Sequence, residues 1–266
     1  FDLMLGNPPW VKIEWNEQAV LSDSHPIFAI KKLTATETAS QRDEALESDK
    51  VRKLYYSEYS MLAGQQHFMG SIQNYPNISG AINLYKCFLP QAVFFAGSKG
   101  IFAFVHPEGV FDDPKGEKLR SILYPKLRTH FQFANELKLF AEVHNETKYG
   151  LCVYCNQPSN GFDCIYNLYT VETIEQCYDE TTKEKPVPGI KDENGNWNFT
   201  GHIDRVLHIG SKELKLFSAI FDGETDDGNN WKSARLFALH SKELIDALQC
   251  FAEQKNTVGN MNGSVF

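Results

Sequence analysis

An asparagine, two prolines and a tryptophan follow an apolar run at the start of the chain, in FDLMLGNPPWVKIEW. Asn7 offers a side-chain carbonyl acceptor and an amide donor. Pro8 adds a backbone carbonyl whose direction is restrained by its ring, and Pro9 stiffens the step that follows. Trp10 offers a wide aromatic face. Together these suit a planar heterocycle bearing an exocyclic amino group. Its amino protons donate to the Asn7 side-chain oxygen and the Pro8 backbone oxygen, while its ring stacks on Trp10. Two acceptors on one amino group draw its lone pair out of conjugation and aim it. A poor nucleophile becomes competent to attack an activated methyl group, with no metal or general base needed at the outset.

Such a turn needs a fixed base. Two consecutive prolines forbid continuation of helix or sheet. Residues 3–5 read as a buried strand, and Gly6 lets the chain turn out of it. The turn then sits at the carboxyl end of a strand, where open α/β sheets bind ligands. Residues 11–80 form a long polar segment, of which one part, TASQRDEALESDKVRKLYYSEYSMLAGQQHF, is rich in helix formers and reads as helical; an insertion of this length often serves as a lid or binding appendage. The stretch 82–97 reads as an apolar helix kinked or split at Pro90. Residues 99–107 read as a turn and a strand buried on both faces of a parallel sheet, and 115–127 as an amphipathic helix. Strands follow at 129–140, at least at its start, at 148–155 and at 162–169, suggesting an antiparallel edge. The helix–strand alternation from 82 to 128 gives α/β units with a parallel sheet. Residues 178–201 are polar and carry Pro, Gly and Asn turn signals, so they read as a linker or exposed loop. Beyond them lie a short apolar patch, IDRVLHI, and helices near 211–221 and 240–254.

The composition sets bounds. The chain has 266 residues, with 42% hydrophobic and 13% aromatic content, enough for one large domain or two smaller ones. No run approaches the roughly 18 apolar residues of a membrane span, and no membrane partner is expected. The chain opens inside a strand and closes in NMNGSVF, so it reads as a piece of a longer protein. The net charge of −8 argues against a protein that coats nucleic acid, without excluding local contacts. The segment 115–128 carries five basic residues and one acid, and reads as a solvated helix face ahead of a phosphate-binding patch. Cys152 and Cys155 form a C-x-x-C, but on a strand these positions point to opposite faces. The six cysteines read as free thiols in a reducing compartment, the cytoplasm. Three N-x-[ST] triplets, at Asn77, Asn145 and Asn198, are then chance matches. No Walker loop, G-x-G-x-x-G, G-x-S-x-G or H-E-x-x-H occurs. The histidines are dispersed, and His106, at a strand end, reads as structural.

FDLMLGNPPW resembles motif IV of the amino-methyltransferases that use S-adenosylmethionine, where the adenine-specific DNA enzymes show [DNS]-P-P-[YFW]. NLYKCFLPQAV, GIFAFVHPEGVFDD and LRSILYPKL resemble the helix, strand and helix that follow motif IV in the γ-type branch. That branch includes the methylase domains of combined restriction–modification enzymes. LKLFAEVHNETKYGLCVY resembles the motif VIII region. The likeness covers roughly residues 1–156.

The resemblance implies an α/β fold: the C-terminal part of a Rossmann-like methyltransferase sheet, with a long helical insertion after the first strand. It divides the chain into a catalytic half, 1–177, with residues 11–80 inserted, and a linker and C-terminal extension, 178–266, that could begin a target-recognition region. It implies a site-specific adenine methyltransferase acting on double-stranded DNA, in a restriction–modification or anti-phage system with restriction or defence subunits as partners. Asn7, Pro8, Pro9 and Trp10 would be catalytic, the first two holding the target amino group. Trp10 would stack on an adenine flipped out of the duplex, and Phe140 would make the opposing contact. The glycine-rich cradle for S-adenosylmethionine and the acid that holds its ribose are missing. In the γ-type order both precede motif IV, upstream of Phe1, so this chain alone is expected to bind the donor weakly or not at all and to be inactive. Two other readings stay open: methylation of protein glutamine or RNA, and a non-catalytic methylase-like DNA-binding module.

Overall fold

The computed structural model describes residues 1–222 and 230–254. The strands are β1 (Leu3–Gly6), β2 (Ile101–Pro107), β3 (Leu127–Ala134), β4 (Lys148–Cys155), β5 (Gly161–Leu168) and β6 (Leu207–Gly210). The α-helices are α1 (Glu17–Ser22), α2 (Ile27–Ile30), α3 (Ala35–Ala45), α4 (Asp49–Gly70), α5 (Leu84–Phe95), α6 (Gly109–Asp112), α7 (Glu117–Leu123), α8 (Glu172–Cys177), α9 (Ser211–Phe217) and α10 (Lys242–Ala252). Two compact units result. One comprises 1–10 with 88–266, and the other 11–87.

The larger unit is built on one mixed sheet in the order β1-β2-β4-β3-β5-β6. Pairing is parallel for β1 with β2 and for β3 with β5, and antiparallel for β2 with β4, β3 with β4 and β5 with β6. The parallel sheet expected around β2 is present only on its β1 side, and the antiparallel strand expected at an edge lies inside: β4 inserts between β2 and β3 and runs against both. Strand alternation gives the sheet two unlike faces. One carries Phe102, Phe104, His106, Cys152, Tyr154, His130, Phe162, Cys164, Tyr166, Leu207 and Ile209, all buried. Aromatic residues of α6 and of the end of α7 cover it: the Phe111 ring lies 4.3 Å from the His130 ring, and Tyr124, the residue after α7, packs 5.4 Å from Phe162. The other face is half open, with Ala103, Val105, Phe131, Leu151 and Val153 only partly buried.

β1 corrects a second expectation. LMLG reads as a buried strand, yet β1 forms an edge, and Leu3 and Leu5 are 59% and 70% exposed. Its start is tied to the β2 side by backbone bonds from Gly97 to Phe1 and from Ile101 to Asp2. Gly100 permits that approach, since a Cβ there would meet the Phe1 carbonyl at 2.6 Å.

α5 is one continuous helix through Pro90, not two pieces. The lost N–H at position 90 is tolerated in a helix whose Leu89 and Ala92 are buried. The basic run 115–128 is also corrected, because Arg120 is not on a solvated face. It is buried and donates to the carbonyls of Val110, Asp113 and Ser233. Residues 202–222 do not hang off the sheet as an extension: β6 completes it. The buried Arg205 bonds the carbonyls of Tyr166, Asn167 and Thr200. The chain's closing stretch, read from NMNGSVF, lies outside the described residues.

The unit 11–87 is helical. α3 starts on a capping box in which Thr34 and Glu37 exchange bonds, and Asn16 caps α1. A small core of Leu21, Phe28 and Ala45 holds the short helices. Trp15 packs edge-on against Tyr55 and Tyr59 of α4, each at 5.2 Å.

Candidate active site

Asn7 to Trp10 leave β1 directly after Gly6. Asn7 is exposed, and its side chain has no hydrogen-bond partner among the described residues. Pro8 is buried and Pro9 exposed, while Trp10 is half-buried. The indole Nε1 of Trp10 donates to the carbonyl of Val105 in β2 at 3.2 Å. This bond ties the turn to the half-open face of the sheet and fixes the ring's orientation.

Phe140, 130 residues further on, reaches the same place. Its ring centroid is 5.1 Å from that of Trp10, with the planes at 48°. Tyr149, at the start of β4, completes a cluster at 5.7 Å from Trp10 and edge-on to Phe140 at 4.9 Å. Tyr149 in turn stacks on Phe133 at 5.5 Å. Trp10 and Phe140, chosen from sequence as two sides of one site, are thus neighbours. Tyr149 went unremarked; its signal was an aromatic one residue into a strand, which usually means packing. The ring gap is narrow. A planar ring held between two parallel aromatic faces needs roughly 7 Å, two contact distances of about 3.5 Å each. Trp10 and Phe140 form a closed wedge in this arrangement.

The loop bearing Phe140 is organised by Asn135, a residue passed over in the sequence. It is fully buried at the end of β3. Its side-chain nitrogen donates to the carbonyls of Phe140 at 2.9 Å, Val143 at 2.8 Å and His144 at 3.5 Å. Its side-chain oxygen accepts from the Phe140 N–H at 3.0 Å. Lys138, between them, takes a left-handed conformation with φ 51°.

The covered face holds the charged groups. Glu108, just past β2, accepts from Gln132 at 2.9 Å and lies 2.9 Å from His130 Nε2. Burial opposes charge on both partners. The Glu108 carboxylate overrides it and raises His130 to about 10, while His130, with hydrogen bonds from His130 and Gln132, holds Glu108 below its ordinary range. His106 takes the opposite course: burial lowers it to about 4, against a backbone bond to Pro107. Local spacing could not reveal the Glu108–His130 pair, because 22 residues separate its members. Cys152 and Cys155 stand three residues apart on β4, on opposite faces, with Cys152 buried, and every cysteine is free.

No family model matches the sequence, and no curated protein does. Among solved structures, the chain is similar to a chain of a type I R-M system at 13% identity, over 95% of this chain and 42% of that one, with a TM-score of 0.41. It is similar to the M protein of the type I restriction enzyme EcoKI at 15% identity, over 66% of this chain and 44% of that one, with a TM-score of 0.37. A third likeness is to the type ISP restriction–modification enzyme LlaBIII, at 10% identity, over 74% of this chain and 12% of that one, with a TM-score of 0.33. The chain spans less than half the length of each. Among the described residues, no helix is long and apolar enough to cross a membrane.

Proposed function

We propose that this chain carries the acceptor half of a methyltransferase that modifies the exocyclic amino group of adenine in DNA, within a restriction–modification or defence system. The observation that supports the reading most is the placement of Asn7-Pro8-Pro9-Trp10 at the carboxyl end of a strand, with the Trp10 ring against Phe140. The free Asn7 oxygen and the Pro8 carbonyl accept from the amino group. Trp10, locked by Val105, supplies the stacking plate. The base must leave the duplex to reach them.

Among the described residues, those at the end of β2 do not fit a cradle for S-adenosylmethionine. Holding a ribose diol needs a free carboxylate near the strand ends. Glu108, the carboxylate immediately after β2, is buried and spent on His130 and Gln132. No step involving the donor is therefore derived from this chain. The open edge of β1, with exposed Leu3, Leu5 and Phe1 and with Phe94 nearby on α5, fits a further strand and its cover. We assign the donor cradle to polypeptide docked there. The isolated chain should then show no tight donor binding by calorimetry.

The test is methyl transfer from labelled S-adenosylmethionine by the full-length protein, offered unmethylated DNA, RNA and protein in parallel. Label in DNA, recovered as N6-methyladenine after digestion, is the expected result. Label only in RNA or protein overturns the substrate, and no label in any acceptor overturns the enzyme.

A further inference from the structure

We infer that Asn135 is the positioning residue that sets where Phe140 stands against Trp10; the inference rests on the base-stacking role proposed for that pair. The loop 136–147 has little core of its own. Leu137 and Leu139, either side of the key ring, are 46% and 53% exposed. Apart from the Phe140 ring, which packs on the cluster around Phe133 and Tyr149, hydrophobic packing contributes little to the path of its main chain. The Asn135 carboxamide fixes most of that path, beside turn bonds from Lys138 to Asn135, from Val143 to Phe140 and from Thr147 to His144. Asn135 grips both the N–H and the C=O of Phe140, as a neighbouring strand would, and its remaining donor capacity goes to Val143 and His144. Its own main-chain N–H bonds to the Thr147 carbonyl, closing the far end of the loop. The carboxamide is fully buried, so water cannot replace these partners.

This arrangement bears on the closed wedge between Trp10 and Phe140. Trp10 cannot retreat without breaking its bond to Val105. Phe140 is held from its loop, where Asn135 bonds both its N–H and its C=O and the Val143 N–H donates to its carbonyl. Asn135 therefore sets the width of the wedge by fixing the Phe140 main chain. It acts on the base through Phe140 and touches no substrate itself.

The experiment is a double-mutant cycle in the full-length protein. Asn135→Ala, Phe140→Ala and the double variant are assayed for methyl transfer to unmethylated bacteriophage genomic DNA. Hydrogen exchange of residues 136–147 is measured on each. Asn135→Ala is expected to lower kcat/KM for DNA by about 10- to 100-fold, the cost of misplacing a positioned group by about 1 Å. It should leave KM for S-adenosylmethionine within about twofold and speed exchange only in the loop. The double variant should then be no worse than Phe140→Ala alone. Additive losses would overturn the inference and leave the base-stacking reading intact. An unimpaired Phe140→Ala would overturn both. If Asn135→Ala does not fold, Asn135→Asp keeps the shape, replaces the donors with acceptors and is read by the same cycle.

Discussion

The two faces of the sheet solve opposite problems with similar residue types. The covered face buries two histidines and a carboxylate and satisfies them internally: Glu108 is shared between His130 and Gln132, and His106 lies beside Tyr154 Oη at 3.2 Å. The half-open face gathers Trp10, Phe140, Tyr149 and Phe133 beside a turn whose Asn7 side chain has no hydrogen-bond partner among the described residues. A structural site consumes its polar groups, whereas a binding site leaves them free. By that measure the buried ion pair, although the ionisation of both partners is displaced, belongs to the scaffold, and the exposed Asn7 amide is the group we propose for the chemistry. Perturbed ionisation marks functional sites only as a tendency.

Breaking the covered face should cost the most stability. His130→Ala strands a buried carboxylate and is expected to destabilise the protein by about 3–5 kcal/mol in urea unfolding. The same groups shape the pH profile. His106 is held neutral near 4, so stability falls as pH drops from its ordinary 6.5 toward 4, where only the unfolded chain takes up the proton. His130 keeps its proton to about 10, so stability also falls as pH rises from 6.5 toward 10. Glu108 is lowered and adds to the acid-side loss. Maximum stability is expected near pH 6.5, and His130→Gln should flatten the alkaline side in a series of denaturation curves.

Gly150→Ala probes the same cluster from the backbone. Its Cβ would lie 2.7 Å from Glu108 Oε1 and 3.0 Å from both Cys152 Sγ and His130 Cδ2. The overpacking is expected to cost about 1–3 kcal/mol. On the open face the effects should be smaller. Trp10→Phe keeps a stacking surface and loses the bond to Val105, about 1 kcal/mol by the same unfolding measurement. Asn7→Ala removes an exposed side chain with no partner and should change stability by less than about 0.5 kcal/mol.

The strands β3, β4 and β5 were legible because each shows alternation long enough to fix a face. The turn at Asn7 was legible because two prolines restrict its backbone. The position of β1 was not: LMLG has the same pattern at a sheet's centre and at its edge, and side-chain period says nothing about which backbone edge finds a partner. β6 was missed because LHIG is four residues long, too short for periodicity to distinguish it from a loop. The order of strands was also hidden. Antiparallel β4 enters between β2 and β3, and the register that achieves this is set by pairing across more than 40 residues. In the site, Trp10 and Phe140 stood out as aromatics in a chemical context. Asn135 did not, because a carboxamide that binds main chain leaves no pattern in the sequence.

The central claim is that the open face, not the buried ion pair, carries the chemistry, and Asn7 separates the two most cleanly. The deciding measurement is methyl transfer to DNA by Asn7→Ala in the full-length protein, with the unfolding midpoint recorded on the same preparation. The expected result is a loss on the order of 100-fold, comparable to removing one preorganised hydrogen-bonding group from an active site, at an unchanged midpoint. Full activity in that variant would contradict it.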